Sequence, residues 1–560
     1  MIRKTGICGF IALYFFVFTG CGENREAELT TQDSTVVVKT EIEMKLEQYA
    51  PFKLTTDLSV LTEKEKQMLP FLFEAAKIMD EIYKMEAFPG DYEVLKNSLD
   101  NEAAKKFFDI NYGPWERLNG NIPFVDGIGE KPAGSGFYPA DMTVDNFNSF
   151  ADETKAGLYT VICRNEDDPS LLKSIPYNVL FSEKIKKASD LIIQAAEYAE
   201  DEGLREYLLL RAKALLNDDY QASDIAWLAM KDNTIDFIIG PIETYEDALF
   251  GYKAAHESFI LIKDKEWSKK LERFTNLLPK LQQLLPCEEK YKAETPGTSG
   301  NQLNAYDALY YAGDCNAGSK TIAINLPNDE FVREKYGSRK LQLKNSMRAK
   351  FEKILVPIAE QVIDESQRKY LSFDAFFTNT MFHEVGHGLG LSYTIGDKKI
   401  TVREALKDMY TSIEEGKADI LGLYIVDQLF EMGELGDVDL MDYYVTFFAG
   451  IFRSSRFGVA SAHGKANMMR FYFFESQGAF ERNQETGLYT VNFEKMRTAV
   501  RLLAERILII QGDGDYEAAK AWVESDGIVK ELFQKDLNKI NNAGIPVDIV
   551  FEQGPEVLGL

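Results

Sequence analysis

Apolar residues recur every three or four positions from Thr62 onward, in EKEKQMLPFLFEAAKIMDEIYKM, and the same period returns at 182–200, 203–216 and 265–285. That period gathers apolar side chains on one helix face, so each stretch predicts an amphipathic helix packed on a core. Strand-like runs are fewer: 236–240, 321–326 and 547–551 are short, apolar and bounded by polar residues. After Asp329 the helical period continues almost unbroken to about Asn541. Gly/Pro/Asp-rich stretches such as 119–142 read as links. The pattern predicts an α+β, predominantly helical chain, with a mixed α/β lobe over 61–330 and a mainly helical lobe over 331–560.

A chain of 560 residues is more than one hydrophobic core usually serves, so two lobes around a cleft are the default. With 45% hydrophobic and 27% charged residues, disorder, collagen and coiled coil are excluded as the overall state. The net charge of −26 argues against nucleic acid and suits cationic partners such as peptide amino termini.

Arg3 and Lys4 precede an apolar run to Phe18, which closes in Thr19-Gly20-Cys21. This is a secretory-signal layout, too short to span a membrane. A cysteine after small residues resembles a bacterial lipobox, which implies cleavage before Cys21 and its lipidation. The expectation is a signal peptide over 1–20, a lipid-anchored polar tether over 21–60 and a place in the bacterial cell envelope. No later segment has the roughly 18 apolar residues of a transmembrane helix, so Cys21 lipid is the one membrane contact expected. Cys163, Cys287 and Cys315 are too few and scattered for a disulfide framework.

The chemistry centres on MFHEVGHGLG at 381–390. His383 and His387 stand one helical turn apart on one face, where both imidazoles reach a single Zn²⁺. Glu384 lies about 100° round the helix and flanks the metal, placed to take a proton from its water. The extended metzincin motif fails, because Tyr393 occupies its third-histidine position. The third ligand is then a carboxylate on a later helix, and SIEEGKADILGLYIVDQLF from Ser412 offers Glu414 and Glu415. Glu415 has Asp419 four residues on, so one carboxylate binds metal while the other holds a histidine N–H. Glu414 has only Ala418 at that spacing and fits an acid placed for the helix dipole. Glu415 is the expected ligand and Asp419 the orienter.

These motifs resemble the dipeptidyl peptidase III family of zinc exopeptidases. EEGKAD at 414–419 is similar to that family's Glu-Glu-Cys-Arg-Ala-Asp/Glu segment, whose second glutamate binds metal. Many members carry HExxGH; HEVGH is one residue shorter, as in some bacterial members, and needs no bulge to aim both histidines. GPIETYEDALFGYKAAHESF at 240–259 resembles the family stretch with a substrate-binding glutamate and a catalytic tyrosine, implying Glu243 and Tyr245, with Glu257 another cleft-lining acid. NLPND at 325–329 resembles Asn-x-Pro-Asn, implying that Asn325 and Asn328 hold the substrate amino terminus. SAHGKANMMRFYFFESQGAF at 461–480 resembles the segment carrying a transition-state histidine, here His463, with Asn467 replacing a common arginine. His256 has no partner pattern and is expected to be structural.

The resemblance implies two lobes around a wide cleft, the zinc site on helices of the helical lobe, and a small β-barrel with a peptide-binding strand in the mixed lobe. It implies release of N-terminal dipeptides from short peptides with a free N-terminus, one Zn²⁺ per chain serving the reaction. The chain's own rivals are a zinc hydrolase of different specificity, such as an endopeptidase, and a catalytically weak, lipid-anchored peptide-binding protein. No Nudix-type glycine–glutamate box is visible.

Overall fold

The computed structural model describes residues 39–292, 302–396 and 400–560. The expected signal peptide and Cys21 lie outside them. The tether expected over 21–60 is corrected in its second half. Glu41–Leu46 is a helix and Tyr49–Lys53 a strand, β1, paired in parallel with residues 548–552. Its partner comes from the other end of the chain, which no local pattern reveals.

Helix α1 (Glu63–Ala87) starts in a capping box, Thr62 accepting the Glu65 N–H and Glu65 the Thr62 N–H. Helices α2 (Ser182–Glu197) and α3 (Glu202–Asn217) follow, then β2 (Ile235–Glu243), β3 (Ala255–Lys263), α4 (Lys265–Gln283), β4 (Gln302–Gly313), β5 (Ala323–Leu326) and β6 (Arg339–Leu343). The strands form one mixed sheet in the order β2-β3-β4-β6-β5, antiparallel except for the β4–β6 pair. Met68, Leu72 and Met79 of α1 share a core with Phe237, Phe259 and Leu309. Register shifts at Pro241/Glu243 and Ile260/Leu261 bend the sheet. The curl brings its two edges together at one end, where Asn328 Nδ2 donates to the Ile242 carbonyl at 3.0 Å.

The implied small β-barrel is therefore an open, curled sheet. Pro327, without an N–H, ends β5 after four residues and leaves closure unmade. β3, β4 and β6 also correct the strand reading. β3 is buried on both faces and shows no alternation to read. β6 lies beyond the expected lobe boundary at 330/331 yet runs inside the sheet, its Arg339 buried against Asp236 at 3.2 Å.

The second core is helical: α5 (Phe373–Gly386), α6 (Tyr410–Glu431), α7 (Leu440–Ser455), α8 (Ala462–Ser476) and α9 (Phe493–Asp513), before the last strand β7 (Asp548–Glu552), the partner of β1. α6 is buried nearly all round and packs on α5, α8 and α9. α4, although it precedes the boundary, buries Leu271, Phe274 and Leu278 here. Among the described residues no helix is long and apolar enough to cross a membrane, and no disulfide forms.

Candidate active site

Two glycines let α5 and α6 approach closely enough to share a site. A Cβ on Gly386 would stand 2.6 Å from the Ala418 carbonyl, and one on Gly422 2.9 Å from the His383 nitrogen. Residue 386 thus meets 418 while 383 meets 422, so the helices run antiparallel. Ser372 caps α5 by accepting the Ala375 N–H. The helix continues without a bulge, and His387, still helical in backbone, donates its N–H to the His383 carbonyl at 3.3 Å.

One ligand atom from each of His383, His387 and Glu415 lies within 4.8 Å of the others. The Nε2 atoms of the two histidines stand 3.2 Å apart. Glu415 Oε2 is 3.4 Å from the first and 3.8 Å from the second. Behind them, His383 Nδ1 is 2.7 Å from Asp419 and His387 Nδ1 is 3.0 Å from Glu414. When each Nδ1 carries its proton toward the carboxylate beside it, both Nε2 atoms turn a lone pair to the gap that Glu415 Oε2 also faces. Three electron-rich atoms converging this way repel unless a proton or a metal cation lies between them. The donor set fits Zn²⁺: two nitrogens held tetrahedrally at about 2.0–2.1 Å would themselves lie about 3.3 Å apart. Burial disfavours a charged His383, but Asp419 and Glu415 outweigh it and raise its pKa to about 10, so the field at the gap favours positive charge.

Each orienting acid is itself held. Asp419 Oδ2 accepts from Arg470 of α8 at 2.6 Å. Burial would raise its pKa, but Arg470 and His383 keep it well below the usual carboxylate range. Glu414 corrects the sequence reading. It accepts from His387, from Lys417 at 2.9 Å and from Gln511 of α9 at 2.8 Å, so it orients the second histidine as Asp419 does the first. Its burial is outweighed chiefly by Lys417, holding its pKa at about 2. The antiparallel register was the missed signal: four residues forward along α5 correspond to about four or five back along α6.

Glu384 projects beside the histidines and is gripped by Lys340 of β6, 3.0 Å from its Oε2. Burial opposes its charge, yet Lys340 and His383 lower its pKa. His463 sits at the start of α8 with Ser461 as cap, its Nδ1 3.2 Å from Glu415 Oε2 and its side chain 62% exposed. Three of the chain's four histidines thus meet at one point. The fourth, His256, is fully buried against Glu86 at 2.6 Å.

The remaining expected residues line the curled sheet. Glu243 ends β2; burial raises its pKa and a hydrogen bond from Asn328 offsets part of that. Tyr245 lies beyond the end of β2, in a turn that Asp247 braces by accepting the N–H groups of residues 249, 250, 252 and 253. The residue is 81% exposed. Asn325 stands exposed on β5. Glu257 is buried on β3; burial, with Asp314 and Glu243 nearby, raises its pKa well above the usual range. Glu243, Tyr245 and Asn328 line a cavity of about 330 Å³ together with Tyr159, Tyr220 and Trp227.

Residues 178–393 match the model of peptidase family M49. The DPP III structure from Caldithrix abyssi superposes with a TM-score of 0.87 at 38% identity, covering 92% of this chain and 99% of that one. The dipeptidyl-peptidase III structure from Corallococcus sp. strain EGB gives 0.74 at 35%, covering 91% and 96%. Nudix hydrolase 3 of Arabidopsis thaliana is 34% identical over 570 residues, covering 91% of this chain and 73% of that protein. The family model and the two superposed structures place this chain among the peptidases. The chain belongs to the dipeptidyl peptidase III family.

Proposed function

We propose that this protein is a zinc-dependent exopeptidase that releases N-terminal dipeptides from short peptides. The observation that carries it is the convergence of His383, His387 and Glu415 with Glu384 alongside. A zinc ion held there would lower the pKa of a water and polarise the scissile carbonyl as a Lewis acid. Glu384 takes the water's proton and returns it to the leaving amine. His463 and the exposed Tyr245 hydrogen-bond the developing oxyanion, Tyr245 after movement of its turn.

Counting of residues is assigned to the curled sheet. Glu243, with the side-chain oxygens of Asn325 and Asn328, accepts the substrate ammonium, and Glu257 adds a second acid behind it. β5 is an edge strand, which supports addition of an extended peptide by backbone pairing. The cavity beside the clamp takes the first side chain. Two extended residues reach about 7 Å from clamp to cleavage point.

The test is hydrolysis of dipeptidyl arylamides by purified protein, before and after chelation and zinc return. Activity should vanish on chelation, return with zinc, and fall sharply on N-acetylated substrates. Equal cleavage of blocked and free peptides would instead identify an endopeptidase. A second reading, Nudix-type hydrolysis, follows only from the name of the Arabidopsis relative, and the sequence contains no such box. Lipid anchoring through Cys21 is proposed separately, and the mass of the mature N-terminus tests it.

A further inference from the structure

Lys340 is a charged side chain that the reaction proposed above leaves without a task. It lies directly across from Asn325 in the β5–β6 ladder, and opposed residues share a sheet face. Its neighbours Arg339 and Leu341 are fully buried on the other face. Lys340 therefore rises from the same side of the sheet as the proposed amine clamp. Its amine ends on a different core altogether: Nζ lies 3.0 Å from Glu384 Oε2 and donates to the Glu384 main-chain carbonyl at 2.9 Å.

That double contact has a specific physical meaning. Glu384 is in the last turn of α5, where carbonyls lack intrahelical donors and carry the negative end of the helix dipole. Lys340 supplies the missing donor and fixes the side chain of the same residue. The two side chains are only 14% and 25% exposed, so the contact is shielded from competing water. Because Lys340 engages Oε2, Oε1 is left for proton transfer. One amine on the sheet thus sets where the carboxylate stands relative to Asn325 on the neighbouring strand.

We propose that Lys340 is a positioning residue that registers the general base Glu384 to the sheet that holds the substrate's amino terminus. The proposal rests on the peptidase reading. A lysine in this role acts through Glu384, so its loss lowers turnover and leaves ground-state binding intact.

The experiment compares wild type, Lys340→Met, Lys340→Gln and Lys340→Arg on a free-amine dipeptidyl arylamide, with zinc content and melting temperature recorded for each. Rates are taken per zinc-loaded chain, well below each melting point. Both neutral variants should lose roughly 10–100-fold in kcat with KM changed by less than about twofold, and Lys340→Arg should recover most of the loss. If either folded neutral variant keeps kcat within about twofold of wild type, the proposal is wrong. A raised KM with intact kcat also overturns it and makes Lys340 a substrate contact. A wild-type protein inactive on all dipeptidyl arylamides sinks the peptidase reading, and the role of Lys340 falls with it; an active wild type isolates the lysine.

Discussion

Asp419 and Glu414 each stand within hydrogen-bond distance of one histidine's Nδ1, a placement that favours the tautomer whose Nε2 is free to bind a cation. Asp419→Asn and Glu414→Gln should each weaken zinc affinity about 10–100-fold, measured by competition with a chromophoric chelator. An effect confined to Asp419→Asn would return Glu414 to the dipole role that its spacing first indicated. Glu246, next to Tyr245, makes a different kind of prediction. Burial opposes its charge, but Arg117 at 2.7 Å and Lys131 at 2.5 Å hold its pKa at about 2. The folded value lies below the unfolded one, so this carboxylate stabilises the fold above about pH 4.5. That stability is lost as pH falls from about 4.5 toward 2. Glu246→Gln should lower stability by about 3–5 kcal/mol at neutral pH and flatten the acid slope in that window, read from denaturant midpoints against pH. An unchanged slope would remove Glu246 as its source.

At the level of elements, the site depends on how closely α5 and α6 pack. Gly422→Ala places a methyl 2.9 Å from the His383 nitrogen and 3.0 Å from the Phe382 carbonyl carbon, both backbone atoms that cannot rotate away. We expect about 1–3 kcal/mol of destabilisation together with weakened zinc binding, because the helices must part. Gly450 on α7 is the control: nothing lies within 4 Å of its added Cβ, and alanine there should be neutral or stabilise by about 0.5–1 kcal/mol with zinc affinity unchanged. Melting curves and chelator competition on both variants decide. The long helices were legible in the sequence, since their period is local. β3, β4 and β6 were not, because strands buried on both faces or held by distant partners carry no alternation of their own. Lys340 was invisible for the same reason: its meaning comes from the strand it sits on and the helix end it reaches.

Across the whole molecule, the ends of the described chain are tied by the parallel pairing of β1 with β7, where Asp548 also meets the buried Lys350 at 3.1 Å. Deleting 548–560 should lower the melting temperature by several degrees, as β1 loses its partner and Lys350 its counter-charge. No change in melting would make the pairing incidental. Some of this protein follows from sequence alone: helical content, the HEVGH face and the i,i+4 pairing of Glu415 with Asp419 all arise within one or two turns of chain. The tertiary structure alone decided the rest. Glu414 became a histidine partner through the antiparallel register of two helices in glycine contact. Asn325, Lys340 and Glu384 came into one line because a curled sheet sets its edge beside a helix terminus. Such pairings join residues far apart in the chain, and burial and register, not local pattern, choose them.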